Sequence, residues 1–214
     1  ASTIDKEGRV NLAPFSYFNV FSANPPILIF SPARRGKDNT TKHTLDNVLE
    51  VPEVVINMVD YDLVHACSLA STDYPQGVNE FEKAGLTEVP SVTITPPRVL
   101  ESPVSMECKV LKVESFGPNP GAGNLVFCEI KRMHFRNNVL GSDGLPDAVL
   151  LDLVARCGGS YYTRASKEAL FEIPKPIANL GIGVDAIPKD ICTSSILTGK
   201  HLAMLGNVES LPDE

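Results

Sequence analysis

The feature that most constrains the fold is a pair of long β-rich segments in the second half of the chain. Residues 105–113 alternate imperfectly between apolar and polar side chains, and residues 125–135 are rich in strand-forming residues. The glycine-bearing stretch 117–123 joins them, which predicts an antiparallel hairpin. Further strands are predicted at residues 10–20, 27–31 and 54–59. The pattern predicts a mainly β fold with some α (α+β), in which peripheral helices decorate a central antiparallel barrel.

Three helices are predicted between these strands, at residues 41–49, 63–70 and 79–84. In the first, Thr40 or Thr41 can act as the cap, and Leu45, Val48 and Leu49 form an apolar stripe. The glycine-bearing stretch 156–162 is predicted as a loop.

The character of the chain changes at Phe171. Pro174, Pro176 and Pro188 punctuate a segment that is predicted to be an extended arm, followed by a final helix within residues 190–205. We therefore expect a barrel domain at 1–170 and a C-terminal arm and helix at 171–214, which packs on the barrel or on a dimer partner.

Composition excludes several classes of protein. The net charge of -7 argues against nucleic-acid binding, because phosphates need a basic surface. No run approaches the eighteen apolar residues of a membrane span, and the first residues lack a signal pattern. The five cysteines are scattered without a CxxC pair, which predicts reduced thiols and a cytoplasmic protein. The four histidines show no metal-ligand spacing, so no metal site is expected.

A cluster of cations and hydroxyls precedes the first predicted helix. Fixed charges, hydroxyl donors and a positive helix end together favour a phosphate site, although a solvated basic turn would have the same composition. The threonines can be helix caps, phosphate ligands or both. The candidate residues are Ser31, Arg34, Arg35, Lys37, Asp38, Thr40 and Thr41.

A short loop at residues 11–16 carries small side chains and a proline, so its backbone N–H groups can approach a flat ligand. An ordinary strand turn is the alternative. The candidates here are Asn11, Ala13, Pro14, Phe15 and Ser16.

Asn57 lies in an apolar strand, where its amide needs a partner that either a ligand edge or a backbone neighbour could supply. Tyr161 and Tyr162 lie beside two glycines. Their rings could reach the pocket across a dimer interface or could have a purely structural role, and the sequence favours neither. A phosphorylated planar cofactor is indicated, with flavin mononucleotide (FMN) as the candidate.

These motifs resemble the flavin reductase-like family, whose fold is the FMN-binding split β-barrel, and in particular its flavoredoxin-like branch. The resemblance rests on Ser2-Thr3 with Asp5 and Gly8, on the loop at 11–16, on Asn24-Pro25-Pro26, on the Arg-x-x-Lys-Asp pattern at 34–38, on Val55-Ile56-Asn57, on Asn79-Glu80-Phe81 before Gly85-Leu86, on Arg156 with Gly158-Gly159 and Tyr161, and on the segment 196–206.

The resemblance implies that the protein binds FMN, takes hydride from NADH or NADPH, and forms a homodimer with flavin at or near the subunit interface. The flavin carries the chemistry, so no catalytic side chain is identified. Two alternatives remain at this point: a flavoredoxin-like electron carrier with a protein redox partner, and a flavin-binding module that does not turn over.

Overall fold

A seven-stranded antiparallel sheet organises the first part of the chain in the computed structural model, which describes residues 1–173 and 180–210. The strands of the chain are β1 (Ser2–Ile4), β2 (Val10–Leu12), β3 (Phe18–Ala23), β4 (Pro26–Phe30), β5 (Glu53–Asn57), β6 (Glu88–Val89), β7 (Arg98–Val99), β8 (Val104–Ser115), β9 (Asn124–Phe135), β10 (Val154–Gly158) and β11 (Tyr161–Arg164). The order in the large sheet is β2-β1-β5-β8-β9-β4-β3, and β6-β7 and β10-β11 form separate pairs.

Six α-helices accompany the strands within the described residues. They are α1 (His43–Glu50), α2 (Val64–Ala70), α3 (Glu80–Ala84), α4 (Ala148–Leu151), α5 (Lys189–Cys192) and α6 (Gly199–Leu205). None of them is both long enough and apolar enough to cross a membrane. The predicted mainly β fold with peripheral helices is confirmed.

The long hairpin predicted from the sequence is confirmed and forms the spine of the sheet. Strand β8 pairs with β9 from Val104 opposite Phe135 to Ser115 opposite Asn124, with two register shifts along the way. The sheet continues through β5 on one side and β4 on the other. The two end strands, β2 and β3, do not pair with each other among the described strands, so the curved sheet stays open.

The main core lies on one face of this sheet, where α1 packs. Buried side chains from four strands and from one face of α1 meet there: Leu28, Phe30, Leu45, Val48, Val54, Ile56, Val104, Met106, Cys108, Val126 and Cys128. A smaller cluster of Leu12, Leu63, Ala70, Phe81 and Val99 joins β2, α2 and α3. The smaller cluster buries Leu12 of β2 and so helps to fix the start of the loop that follows this strand.

Three local predictions were wrong in their details. The predicted strand at 10–20 is interrupted after Leu12, since the chain leaves the sheet at residues 13–17 and rejoins it at β3. Helix α1 begins at His43, because Lys42 adopts the extended backbone of an N-cap and the Thr41 hydroxyl donates instead to Asp46 Oδ1 at 2.7 Å. The predicted loop at 156–162 instead contains the end of β10, a turn at residues 159–160 and the start of β11, and Gly158 and Gly159 have positive φ angles.

The chain divides into two compact units, Ala1–Leu170 and Phe171–Glu214. The final helix predicted within 190–205 is present as α6, and the second unit also holds the short helix α5; the Thr198 side chain pairs with His201 at the start of α6. Two loops of this unit are joined by backbone hydrogen bonds, including Gly183 N–H to Gly206 O at 2.9 Å. Pro188 is the N-cap of α5, whereas Pro174 and Pro176 lie outside the described residues.

Candidate functional site

An open cavity of about 780 Å³ lies within the first unit. Its walls are the loop after β2, the start of α1, the end of β5, the region from α2 through residue 74, and the β10-β11 hairpin. This volume falls within the usual range of small-molecule sites. Seven of the predicted site residues line it: Asn11, Ala13, Pro14, Phe15, Ser16, Arg35 and Asn57.

The loop after β2 is tied down at its beginning and free at its tip. The Asn11 side-chain amide donates to Thr44 Oγ1 at 2.9 Å, and the Leu12 N–H donates to Glu80 Oε2 at 2.9 Å. Beyond Ala13, the N–H groups of Phe15 and Ser16 have no acceptor among the described residues. Both residues line the cavity, so the loop supplies backbone donors on a fixed frame.

The start of α1 forms a cationic part of the wall through Lys42, His43 and Thr44. The N–H groups of His43 and Thr44 belong to the first turn of the helix, where backbone donors have no partner inside the helix. No other described residue accepts from these two groups. The start of the helix and the ammonium group of Lys42 therefore favour the binding of an anion in this part of the cavity.

Arg35 stands beside the helix start, and its side chain is only 12% exposed. Its Nε donates to Asp73 Oδ1 at 2.8 Å, and Nη1 donates to Thr40 Oγ1 at 3.1 Å and to the Thr41 carbonyl. These bonds orient the guanidinium group, while Nη2 donates to no described residue. An oriented guanidinium with an unused donor suits a phosphate.

Asn57 reaches the cavity and also bonds to neighbours within the protein. Its Oδ1 accepts from the Val99 N–H at 3.0 Å and from Ser105 Oγ at 2.9 Å, and its Nδ2 lies 3.4 Å from Ser2 Oγ. Backbone and hydroxyl neighbours therefore provide the partners that the sequence required for this amide.

The remaining predicted residues do not line the cavity. The loop at 31–41 uses them on itself and on its neighbours: Ser31 Oγ accepts the Asn124 N–H at 3.2 Å, Arg34 Nε donates to Asn39 Oδ1 at 2.8 Å, and Asp38 Oδ1 accepts the Thr40 N–H at 3.0 Å. Lys37 is exposed, as is Tyr161, whereas Tyr162 lines the cavity. Thr40 and Thr41 contact Arg35 and so support the wall from behind.

Sequence reasoning missed Lys42, Thr44 and Glu80. Residues 42–44 directly precede the apolar stripe of α1. A helix start predicted at residue 43 instead of 41 would have pointed to Lys42 and Thr44. Glu80 is only 5% exposed, and burial raises the pKa of its carboxyl group, while the Leu12 N–H and His43 favour the charged form. Its place in the wall depends on a contact with a residue 68 positions away, which no local pattern reveals.

The cavity holds neither an activated thiol nor a metal-binding group in the described part of the chain. Cys67 lines the wall, and burial raises the pKa of its thiol, which keeps it protonated. No group of three or more histidine, cysteine or acidic side chains lies close enough to hold a metal ion within those residues. The arrangement can bind and orient a ligand but offers no nucleophile of its own.

The β10-β11 hairpin closes one side of the cavity and is anchored at its base. Arg164 donates twice to Asp152, at 2.7 and 2.6 Å, and its guanidinium carbon lies 3.8 Å from the centre of the Tyr61 ring. The Val154 N–H also donates to the Val59 carbonyl at 3.2 Å. The side chains of both strands are otherwise largely exposed.

Comparison with known proteins gives one family. The family model for the flavin reductase like domain matches residues 1–156. An uncharacterised protein from Aquifex aeolicus (strain VF5) is 36% identical over 172 residues, covering 80% of this chain and 85% of the relative.

Two solved structures are also similar. Nitrilotriacetate monooxygenase component B from Bacillus cereus superposes with a TM-score of 0.73 and 30% identity, over 80% of this chain and 84% of the other. A protein with a split barrel domain from Shewanella frigidimarina NCIMB 400 gives a TM-score of 0.70 and 26% identity, over 81% and 83% of the two chains. The split-barrel architecture expected from the sequence is confirmed.

Proposed function

The chain belongs to the flavin reductase-like family, and on this premise we propose that it is an FMN-binding flavoprotein that transfers hydride from NADH or NADPH to flavin. One observation carries the proposal. A single cavity joins unpaired backbone donors at Phe15 and Ser16 to a cationic helix start and the oriented guanidinium of Arg35. Such a cavity matches a ligand with a flat polar ring and a phosphate.

The residues present fit FMN in chemical type. The N–H groups of Phe15 and Ser16 would bind the polar edge of the ring, and the small side chain of Ala13 keeps the loop backbone accessible. The N–H groups of His43 and Thr44, with Arg35 and Lys42, would bind the phosphate. When bound, FMN supplies the hydride-accepting ring. The protein's part is to bind, orient and shield it, which agrees with the absence of a nucleophile among the described wall residues.

The test is an absorption spectrum of the purified protein with added FMN, followed by anaerobic addition of NADH and of NADPH. We expect the visible bands of oxidised flavin to appear in the protein fraction and to bleach quickly with a nicotinamide donor. Bands that persist with both donors but bleach with a reduced protein would support a flavoredoxin-like carrier. If no physiological donor bleaches the bands, the protein would be a flavin-binding module that does not turn over. Failure to bind FMN would refute the proposal.

We also propose that the protein is a cytoplasmic homodimer. The β10-β11 hairpin presents Tyr161 with 80% of its surface exposed beside the cavity-lining Tyr162, and a second copy of the chain would cover these rings. The five cysteines are free, as a reducing compartment requires. Light scattering on the FMN-loaded protein is expected to give the mass of two chains, and a monomer mass at full flavin occupancy would contradict the dimer.

A further inference from the structure

Glu80 is a buried acid in the cavity wall. It is the first residue of α3 and lines the same cavity as Thr44 and Cys67. Its Oε2 accepts the Leu12 N–H, a contact whose geometry an uncharged amide oxygen could also satisfy. Packing therefore does not require an acid at this position. An ionisable group kept in a cleft against the cost of desolvation is characteristic of a functional site.

The titratable groups around Glu80 come from three elements. On α1, His43 interacts electrostatically with Glu80 and also lines the cavity. On α2, Cys67 lines the cavity and His65 is exposed. Strand β2 carries no titratable side chain, and the neighbours on α3, Glu82 and Lys83, are exposed. Through its bond to Leu12, Glu80 holds the start of the loop that carries the Phe15 and Ser16 donors, so this buried acid would feel a gain of negative charge by the ring.

We propose that Glu80 takes up a proton when the ligand in the cavity is reduced, and so couples reduction of flavin to protonation of the protein. This inference rests on the proposed function. Negative charge that develops near a carboxylate favours its neutral form. Protonation at a Glu80 oxygen would keep the cavity close to neutral while the carboxyl group still accepts the Leu12 N–H.

The step balances with the reactants already named. Hydride transfer breaks one C–H bond of the nicotinamide and delivers two electrons and one proton to the flavin, which is reduced as the nicotinamide is oxidised. Solvent supplies a second proton, which forms an O–H bond at Glu80. Two electrons and two protons are therefore taken up by the complex, one of the protons on the side chain.

The test is the midpoint potential of the FMN-loaded protein measured against pH with a chemical reductant. Each proton taken up in a two-electron reduction shifts the potential by about 30 mV per pH unit, because a tenfold change in an equilibrium constant corresponds to that value. At pH values above the ordinary glutamate range, the native protein is expected to show a slope of about 60 mV per pH unit. Glu80→Gln is expected to show half that slope.

Glu82→Gln is the matched control, since it makes the same change on an exposed residue of the same helix. It should keep the native slope. Infrared difference spectra of the native protein provide a second readout, which does not depend on the folding of any variant. Reduction is expected to produce the carbonyl band of a protonated carboxyl group.

Equal slopes in the native protein and Glu80→Gln, or no carboxyl band on reduction, would overturn the role of Glu80. Neither result would affect the proposed function, because binding of FMN and bleaching by a nicotinamide are measured separately. Conversely, if FMN binds but neither NADH nor NADPH reduces it, the proposal that a nicotinamide donates the hydride would be refuted. The titration with a chemical reductant would still test the role of Glu80.

Discussion

Replacement of Glu107 by glutamine should remove a large, pH-dependent part of the stability of the barrel. The Glu107 side chain on β8 is fully buried, and it accepts the N–H groups of Val92 and Thr93 at 2.8 and 2.6 Å. It also lies 2.6 Å from His134 Nε2. Burial alone would raise the pKa of this carboxyl group, but the hydrogen bonds to Thr93, Val92 and His134 outweigh burial and lower the pKa to about 2. The ionised form is therefore part of the folded structure.

The magnitude follows from the size of that pKa change. A fall from 4.5 to about 2 corresponds to about 3 kcal/mol of folding free energy, at 1.36 kcal/mol for each pKa unit. Because the folded-state pKa is lowered, this contribution is fully present above pH 4.5 and is lost as the pH falls toward 2. Glutamine resembles the protonated acid in shape, so Glu107→Gln should be about 3 kcal/mol less stable than the native protein near neutrality.

The assay is urea denaturation of both proteins at a series of pH values from neutral downward. The difference in unfolding free energy should shrink steadily as the pH falls below 4.5. The control is Glu114→Gln, on the same strand but half-exposed and paired with Lys112, which should change stability little at any pH. A difference for Glu107→Gln that stays constant with pH would show that the charge of the Glu107 carboxylate does not stabilise the folded state.

Two further predictions concern the cavity and the smaller core. Arg35→Ala and Lys42→Ala should each weaken FMN binding by about 1.5–3 kcal/mol, the range of a charged hydrogen bond, as measured by fluorescence titration. The exposed Lys37→Ala should not, and equal losses in all three would contradict the placement of the phosphate. Phe81→Ala should lower the free energy of unfolding by about 3–5 kcal/mol in urea, because this 1% exposed ring fills the cluster beside β2. A loss below about 1 kcal/mol would show that the ring is not a core residue.

The parts of the fold that follow from local pattern could be predicted from the sequence. The β8-β9 hairpin was predictable because strand-forming residues flank a turn rich in glycine. Helix α3 was predictable because Asn79 caps it, accepting the Phe81 N–H at 2.9 Å, and Gly85 ends it with a positive φ. In both places the residues that decide the structure are neighbours in the chain.

The parts that were missed depend on contacts between distant residues. The start of α1 was placed too early because Thr40 and Thr41 look like caps, whereas in the structure they bond to Arg35, which is in turn held by Asp73. Arg35 and Lys37 look equivalent in the sequence. The contacts of Arg35 hold it at the cavity, whereas Lys37 is exposed to solvent.

The hairpin that closes the cavity joins a fixed base to an unconstrained end. Arg164, Asp152 and Tyr61 lock the base, while Gly158 and Gly159 form a turn in which an added side chain at either position would contact nothing. The length of this turn can therefore vary without disturbing the seven-stranded sheet, whereas the positive φ angles at Gly158 and Gly159 favour glycine at these two positions. Related chains, or engineered ones, could exchange the end of the hairpin and so acquire different access to the same cavity.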